Sequence, residues 1–201
     1  MIPDRKRFEA TLAAFDAANA EDPNLDQGRP KELLYAQRMS EMLARFAPDA
    51  SEAVQLAVRA QHIQRWKTPR ASSPADRQGY LQWRTGLYKF HAETAGRIMA
   101  ETGYDAATIE RVQAAVGKKG LKANAETQLL EDVTDLVFLE HYIADFAARH
   151  PDYDEAKWLE IIRKTWQKMS AEARDFVLAG KVGLPETAKP LILKAVNPAG
   201  G

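Results

Sequence analysis

Residues 79–102, GYLQWRTGLYKFHAETAGRIMAET, decide the class of fold. Their polar and apolar positions recur with the period of a helix and show no strand-like alternation. Gln82, Gly86, Lys89 and Glu93 share one face and read as its wet side, while Arg84, Tyr88, His91 and Ala95 fall on the opposite side. Gly103 stops the pattern where a helix C-terminus needs a residue tolerant of left-handed backbone.

Working outward, every neighbouring segment repeats the helical period. Towards the N-terminus lies a Pro/Ser loop from Thr68 to Arg77, and before it a helix opened by Ser51-Glu52. In that helix Glu52, Gln55 and Arg59 form the solvent stripe, and Val54, Ala57 and Gln61 point the other way. Pro30 sits well for the first turn of a helix reaching Phe46. Phe8, Leu12, Phe15 and Asn19 outline a first helix that ends near Glu21–Asn24. Towards the C-terminus, Asp105 caps a helix ending near Gly117, and a helix from Asn124 to Arg149 is closed by Pro151. Residues 154–169 are amphipathic, and a short helix follows at 171–178. Pro185, Pro190 and Pro198 then mark an extended or mobile tail. The expectation is an all-α, single-domain helical bundle over residues 1–180 with a tail over 181–201.

Composition narrows the function. A chain of 201 residues suits one core. Lys+Arg and Asp+Glu stand at 28 each, so the chain as a whole calls for neither nucleic acid nor an acidic membrane. The zero net charge and the lack of a long basic face weigh against a nucleic-acid partner. The absence of cysteine excludes disulfides, thiolate catalysis and cysteine-ligated metal. No apolar run reaches the roughly 18 residues of a membrane span, and the N-terminus lacks a signal-peptide core, so cytoplasmic residence is expected. Oligomeric state is not written in the sequence.

Chemistry concentrates between Gln61 and Arg97, where two histidines and five arginines cross from one helix end to the next helix. His62 follows Gln61 at a helix end, and His91 and Arg84 are expected to face the core. Buried charge is costly unless paired, by several kcal/mol. Each group therefore either satisfies its own carboxylate within the bundle or converges with the others on an anion-friendly cavity. On the 124–149 helix, Gln128, Asp132 and Asp135 share a stripe with Glu131 beside them; carboxylates so placed pair with arginines or bind a cation. Lys118 and Lys119, in KKGLK, either complement a helix dipole or close on a phosphate from a glycine hinge. There is no Walker loop. Trp66, Arg70, Tyr80, Trp83 and Arg84 interleave aromatic and basic groups that could stack a base, although tryptophans at helical spacing also serve as core.

The segment AVRAQHIQRW (57–66) resembles the ligand-bearing helix end of the HD-domain metal-dependent phosphohydrolases. LLYAQRM (33–39), FHAETAGRIM (90–99) and TQLLEDVTDLVFLE (127–140) are similar to three further helices of that group. The likeness implies an HD-like fold, a divalent ion and a phosphorylated substrate. Gln61 and His62 stand where the group has His and Asp, and Tyr35 where it has its first His; on this match only Asp132, or Asp135, keeps its ligand type. At finer grain, QHIQRWKTPR, GYLQWR, KKGLK and ETQLLEDV resemble domain-of-unknown-function family 4202, which implies no activity.

Two functions follow as expectations. One is a hydrolase of a phosphorylated small molecule or nucleotide. In its metal form His62, His91 and Asp132 bind one divalent ion; in its metal-free form a histidine acts as acid and base, held by Asp132. Gln61, Arg65, Arg70, Arg84, Lys118 and Lys119 would line the substrate. The other is a non-catalytic module that binds a nucleotide, another anion or a partner through a degenerate HD site.

Overall fold

A computed structural model describes residues 2–196. Among them are ten α-helices: α1 Arg5–Ala20, α2 Lys31–Phe46, α3 Glu52–Ala60, α4 Arg77–Glu101, α5 Ala106–Val116, α6 Ala125–Val137, α7 Ile143–Arg149, α8 Glu155–Lys168, α9 Ala171–Leu178 and α10 Lys189–Val196. The helices start where short polar side chains can accept from exposed backbone N–H groups. Asp4, Ser51, Asp76, Asp105, Asp154 and Ser170 each accept from an N–H three residues on. Such a cap contributes typically about 1 kcal/mol.

Three local features depart from the sequence reading. Leu25–Asp26 and Arg29–Pro30 pair as antiparallel strands β1 and β2 across Gln27-Gly28, both at positive φ. Two residues per strand are too few to show alternation. The expected helix over 124–149 is interrupted at Phe138–Tyr142 by a π turn, which joins α6 to α7. Part of the expected tail is helical: Pro190 falls in the first turn of α10, where its missing N–H has no helical partner to lose, and Ile192 and Ala195 are buried. Residues 197–201 of that tail lie outside the described residues.

The chain divides into two compact units, Met1–Leu130 and Glu131–Gly201. In the first, α3 is the central rod. Ala53, Val54, Leu56, Ala57, Val58 and Ala60 are all buried on it, and it packs against α1, α2 and α5. Phe15, Met39, Met42, Ile63 and Met99 are also fully buried in this unit. A Cβ on Gly96 would lie 3.2 Å from Cγ2 of Ile109, so this glycine sets the close approach of α4 to α5. In the second unit, α8 packs on α10, and Leu136, Leu139, Ile143 and Ile192 are fully buried. Phe146 meets Trp158 edge-on at 5.7 Å. Among the described residues no helix is long and apolar enough to cross a membrane.

Candidate functional site

The first unit gathers a polar cluster at the end of α3. After Ala60 the chain turns sharply, with Gln64 in the left-handed region (φ 52°), and its N–H is taken up by the Asn19 side-chain oxygen at 2.9 Å. That turn buries Gln61 and Ile63 and leaves His62 half-buried between them. The His62 ring stacks on Tyr35 of α2, centroid to centroid 4.1 Å, and lies 5.9 Å from the His91 ring of α4. Its Nδ1 is 3.4 Å from Oε2 of Glu32, and its Nε2 is 3.3 Å from Nη1 of Arg65. Arginine only donates, so His62 Nε2 accepts and Nδ1 carries the proton towards Glu32.

The electrostatics follow from burial and a cationic surround. His62 is held well below the usual histidine range, first by desolvation and then by the charges of Arg65, Lys118 and Lys31. Burial, with His62 adding to it, pushes His91 down to about 3. Both imidazoles are therefore neutral at physiological pH. Glu32 is 5% exposed, and burial pushes its carboxyl up to about 7 against the pull of Arg65 and Lys31. His91 donates from Nδ1 to the Ile63 carbonyl at 2.9 Å, which leaves the lone pair on Nε2. That nitrogen is buried without a hydrogen-bond partner among the described residues.

His62, His91 and Arg65 are thus brought together as the sequence suggests, with Gln61 buried beside them. The sequence reading missed Glu32 and the stacking role of Tyr35. A signal existed: Glu32 lies on the same stripe of α2 as Tyr35, Met39 and Met42, where a carboxylate is out of place. Lys118, at φ 57°, lends its charge to His62, whereas Lys119 is exposed and its carbonyl accepts from Thr127 Oγ1 at 2.8 Å.

Arg84 does not face a core. It is exposed, bonded to the Tyr88 hydroxyl and, at 3.2 Å, to that of Tyr80. The first turns of α4 extend past the packed region: Leu81 is exposed, and Leu87 is the first apolar side chain of the helix to be buried. Arg70 donates to the carbonyls of Ser73 and Pro74, at 2.9 and 2.7 Å, and lies over Tyr80 and Trp83.

Asp132, Asp135 and Glu131 belong to the second unit and are engaged there. Lys168 Nζ donates to Glu131 at 2.9 Å and to Asp135 at 2.8 Å, and the Ser170 N–H donates to Asp132 at 2.7 Å. A lysine and a backbone amide thus engage this stripe. At the positions that the HD resemblance assigns to ligands, Tyr35 and Gln61 offer a phenol and an amide, poor donors for a divalent ion. Among the described residues no group of three or more His, Cys, Asp or Glu side chains is placed to hold a metal ion.

No curated protein and no solved structure matches this chain significantly. A family model does match, over residues 9–192, covering the whole of the His62 cluster. On that match the chain belongs to DUF4202, a domain of unknown function.

Proposed function

We propose that this cytoplasmic protein handles a phosphorylated small molecule at the His62 cluster, on an HD-like helical frame, as a hydrolase that works through its own acid–base groups. The observation that carries the reading is a partly accessible imidazole set between the Glu32 carboxyl, 3.4 Å from its Nδ1, and the Arg65 guanidinium, 3.3 Å from its Nε2, in the field of Lys31 and Lys118. Arg65, Lys118 and Lys31 supply the positive field that a phosphate dianion requires. His62 Nε2 is the basic atom: a bound phosphate dianion offsets the cations that depress its basicity and draws Arg65 away, freeing the nitrogen to take a proton from the attacking water. The water oxygen bonds to phosphorus as the bond to the leaving oxygen breaks, and that oxygen takes a proton from solvent. Glu32 fixes the tautomer from Nδ1 and, titrating near 7, is matched to proton transfer at physiological pH. Tyr35 holds the ring plane.

The test is a thermal-shift titration with inorganic phosphate and ribose 5-phosphate, followed by phosphate-release assays on a panel of sugar phosphates and nucleotides. Binding at a hundred times Kd would add about 2.7 kcal/mol to stability. The expected result is stabilisation that Arg65→Ala weakens, with turnover that His62→Ala abolishes and Glu32→Gln reduces. Stabilisation without turnover in any assay would remove the catalytic half and leave an anion sensor. Absence of both would overturn the proposal.

A further inference from the structure

The charge balance of the whole chain hides a strong local imbalance. Residues 61–92 contain six Lys or Arg against one acid, Asp76, and that acid is occupied in capping α4 by accepting from the Gly79 N–H at 2.7 Å. Among the described residues Arg65, Arg70, Arg77 and Arg84 form no ion pair with any carboxylate, whereas Arg38, Arg59, Arg97 and Arg111 each do. The four are interleaved with rings. Arg65 lies 5.3 Å over Trp83, Arg70 lies 5.8 Å over both Tyr80 and Trp83, and Arg84 lies 5.7 Å over Tyr88.

The arrangement follows one exposed face of α4. Arg77, Tyr80, Leu81, Arg84 and Tyr88 recur at helical spacing over 12 residues, about 16 Å of axis between the first and the last. Tyr80 is 40% exposed and Leu81 52%, a wasteful placement for large apolar groups that the core leaves uncovered. The Trp83 indole is anchored by donating to the Thr68 carbonyl at 3.0 Å, so the loop after α3 and the first half of α4 form one fixed surface. Guanidiniums held by rings and carbonyls, not by carboxylates, keep their charge for an outside anion. Rings beside them offer faces for stacking.

We infer that this arginine–aromatic face of α4 and the preceding loop binds single-stranded nucleic acid. Phosphates lie against Arg65, Arg70, Arg77 and Arg84, and bases stack at Tyr80 and its neighbours. Sequence-tolerant recognition of single strands combines these two elements. A duplex hides its base faces, so it gains only the phosphate contacts.

Fluorescence anisotropy of the full chain with labelled 12-mers of uridylate and thymidylate reads this directly. Saturable binding at 50 mM salt is expected to weaken roughly 50-fold by 200 mM if four phosphates are contacted on a single strand. The Arg77→Glu/Arg84→Glu pair, both exposed, is expected to abolish binding with the helical circular-dichroism signal unchanged. Tyr80→Ala is expected to weaken it about tenfold while an unchanged melting curve reports an intact fold. No saturable binding at low salt, or binding indifferent to these substitutions, would overturn the inference. So would a uridine monophosphate that binds as tightly as the 12-mer, or retention on anionic phosphatidylserine vesicles with none on oligonucleotides.

Discussion

Glu32 is the residue on which the site turns. Its pKa rises from an ordinary 4.5 in the unfolded chain to about 7 in the fold, so the folded state holds a proton that the unfolded state has lost. The stability this confers is complete below about pH 4.5 and is lost as pH climbs to 7, a change of about 3 kcal/mol at 1.36 kcal/mol per unit. Histidines 62 and 91 act in the opposite sense: their depressed pKa values cost stability as pH falls below 6.5. Comparing wild type with Glu32→Gln in urea melts from pH 4.5 to 7.5 isolates the first effect. The wild type should lose ground against the variant as pH rises, and parallel curves would show Glu32 ionised in the fold. A second residue-scale outcome concerns His91. In His91→Leu the packing is kept, but the Ile63 carbonyl loses its donor, which should cost about 1–3 kcal/mol in the same melts.

Among the elements, α4 and α6 show how a helix is placed by what its ends and faces must satisfy. Gly79 stands near the start of α4, where a Cβ would sit 2.8 Å from the Cβ of Pro74 and closer still to its carbonyl oxygen. Alanine is the better helix former by about 1 kcal/mol, yet Gly79→Ala should destabilise, because the loop carrying Arg70 has to move. Amide hydrogen exchange would show that as faster exchange across residues 68–78. On α6 the carboxylates of Glu131 and Asp135 are both 3% exposed and share one ammonium. Burial opposes that charge, but the two acids together hold Lys168 protonated above its usual range. Lys168→Met removes a cation that both acids share. The loss should be about 2–3 kcal/mol, less than for a fully buried pair because Lys168 is 35% exposed. Urea unfolding at pH 7 measures it, and acidification should narrow the gap as the acids protonate.

For the molecule as a whole, equal numbers of positive and negative side chains and a pI near 6.9 predict minimal repulsion between copies at neutral pH. Turbidity of concentrated protein should peak near pH 7 and fall at pH 5.5 and 8.5. The balance is a sum over uneven parts, however. The face of α4 is basic and the α6 stripe is acidic, and neither imbalance is visible in the total.

The periodicity of residues 79–102, the caps at Ser51 and Asp105, and the stop at Gly103 were enough to fix an all-α fold and most helix boundaries. These are local signals, carried by side chains a few positions from the backbone groups they satisfy. The inward placing of His91 was legible for the same reason, since it lies opposite the wet face of its helix, and it is buried. What tertiary structure alone decided is each polar group's partner. Glu32 meets His62 across 30 residues of chain, Lys168 meets Glu131 across 37, and Arg84 points to solvent because the core ends before it does. Helical phase says which way a side chain points, but only the packed neighbours determine whether it meets a carboxylate, a ring or water.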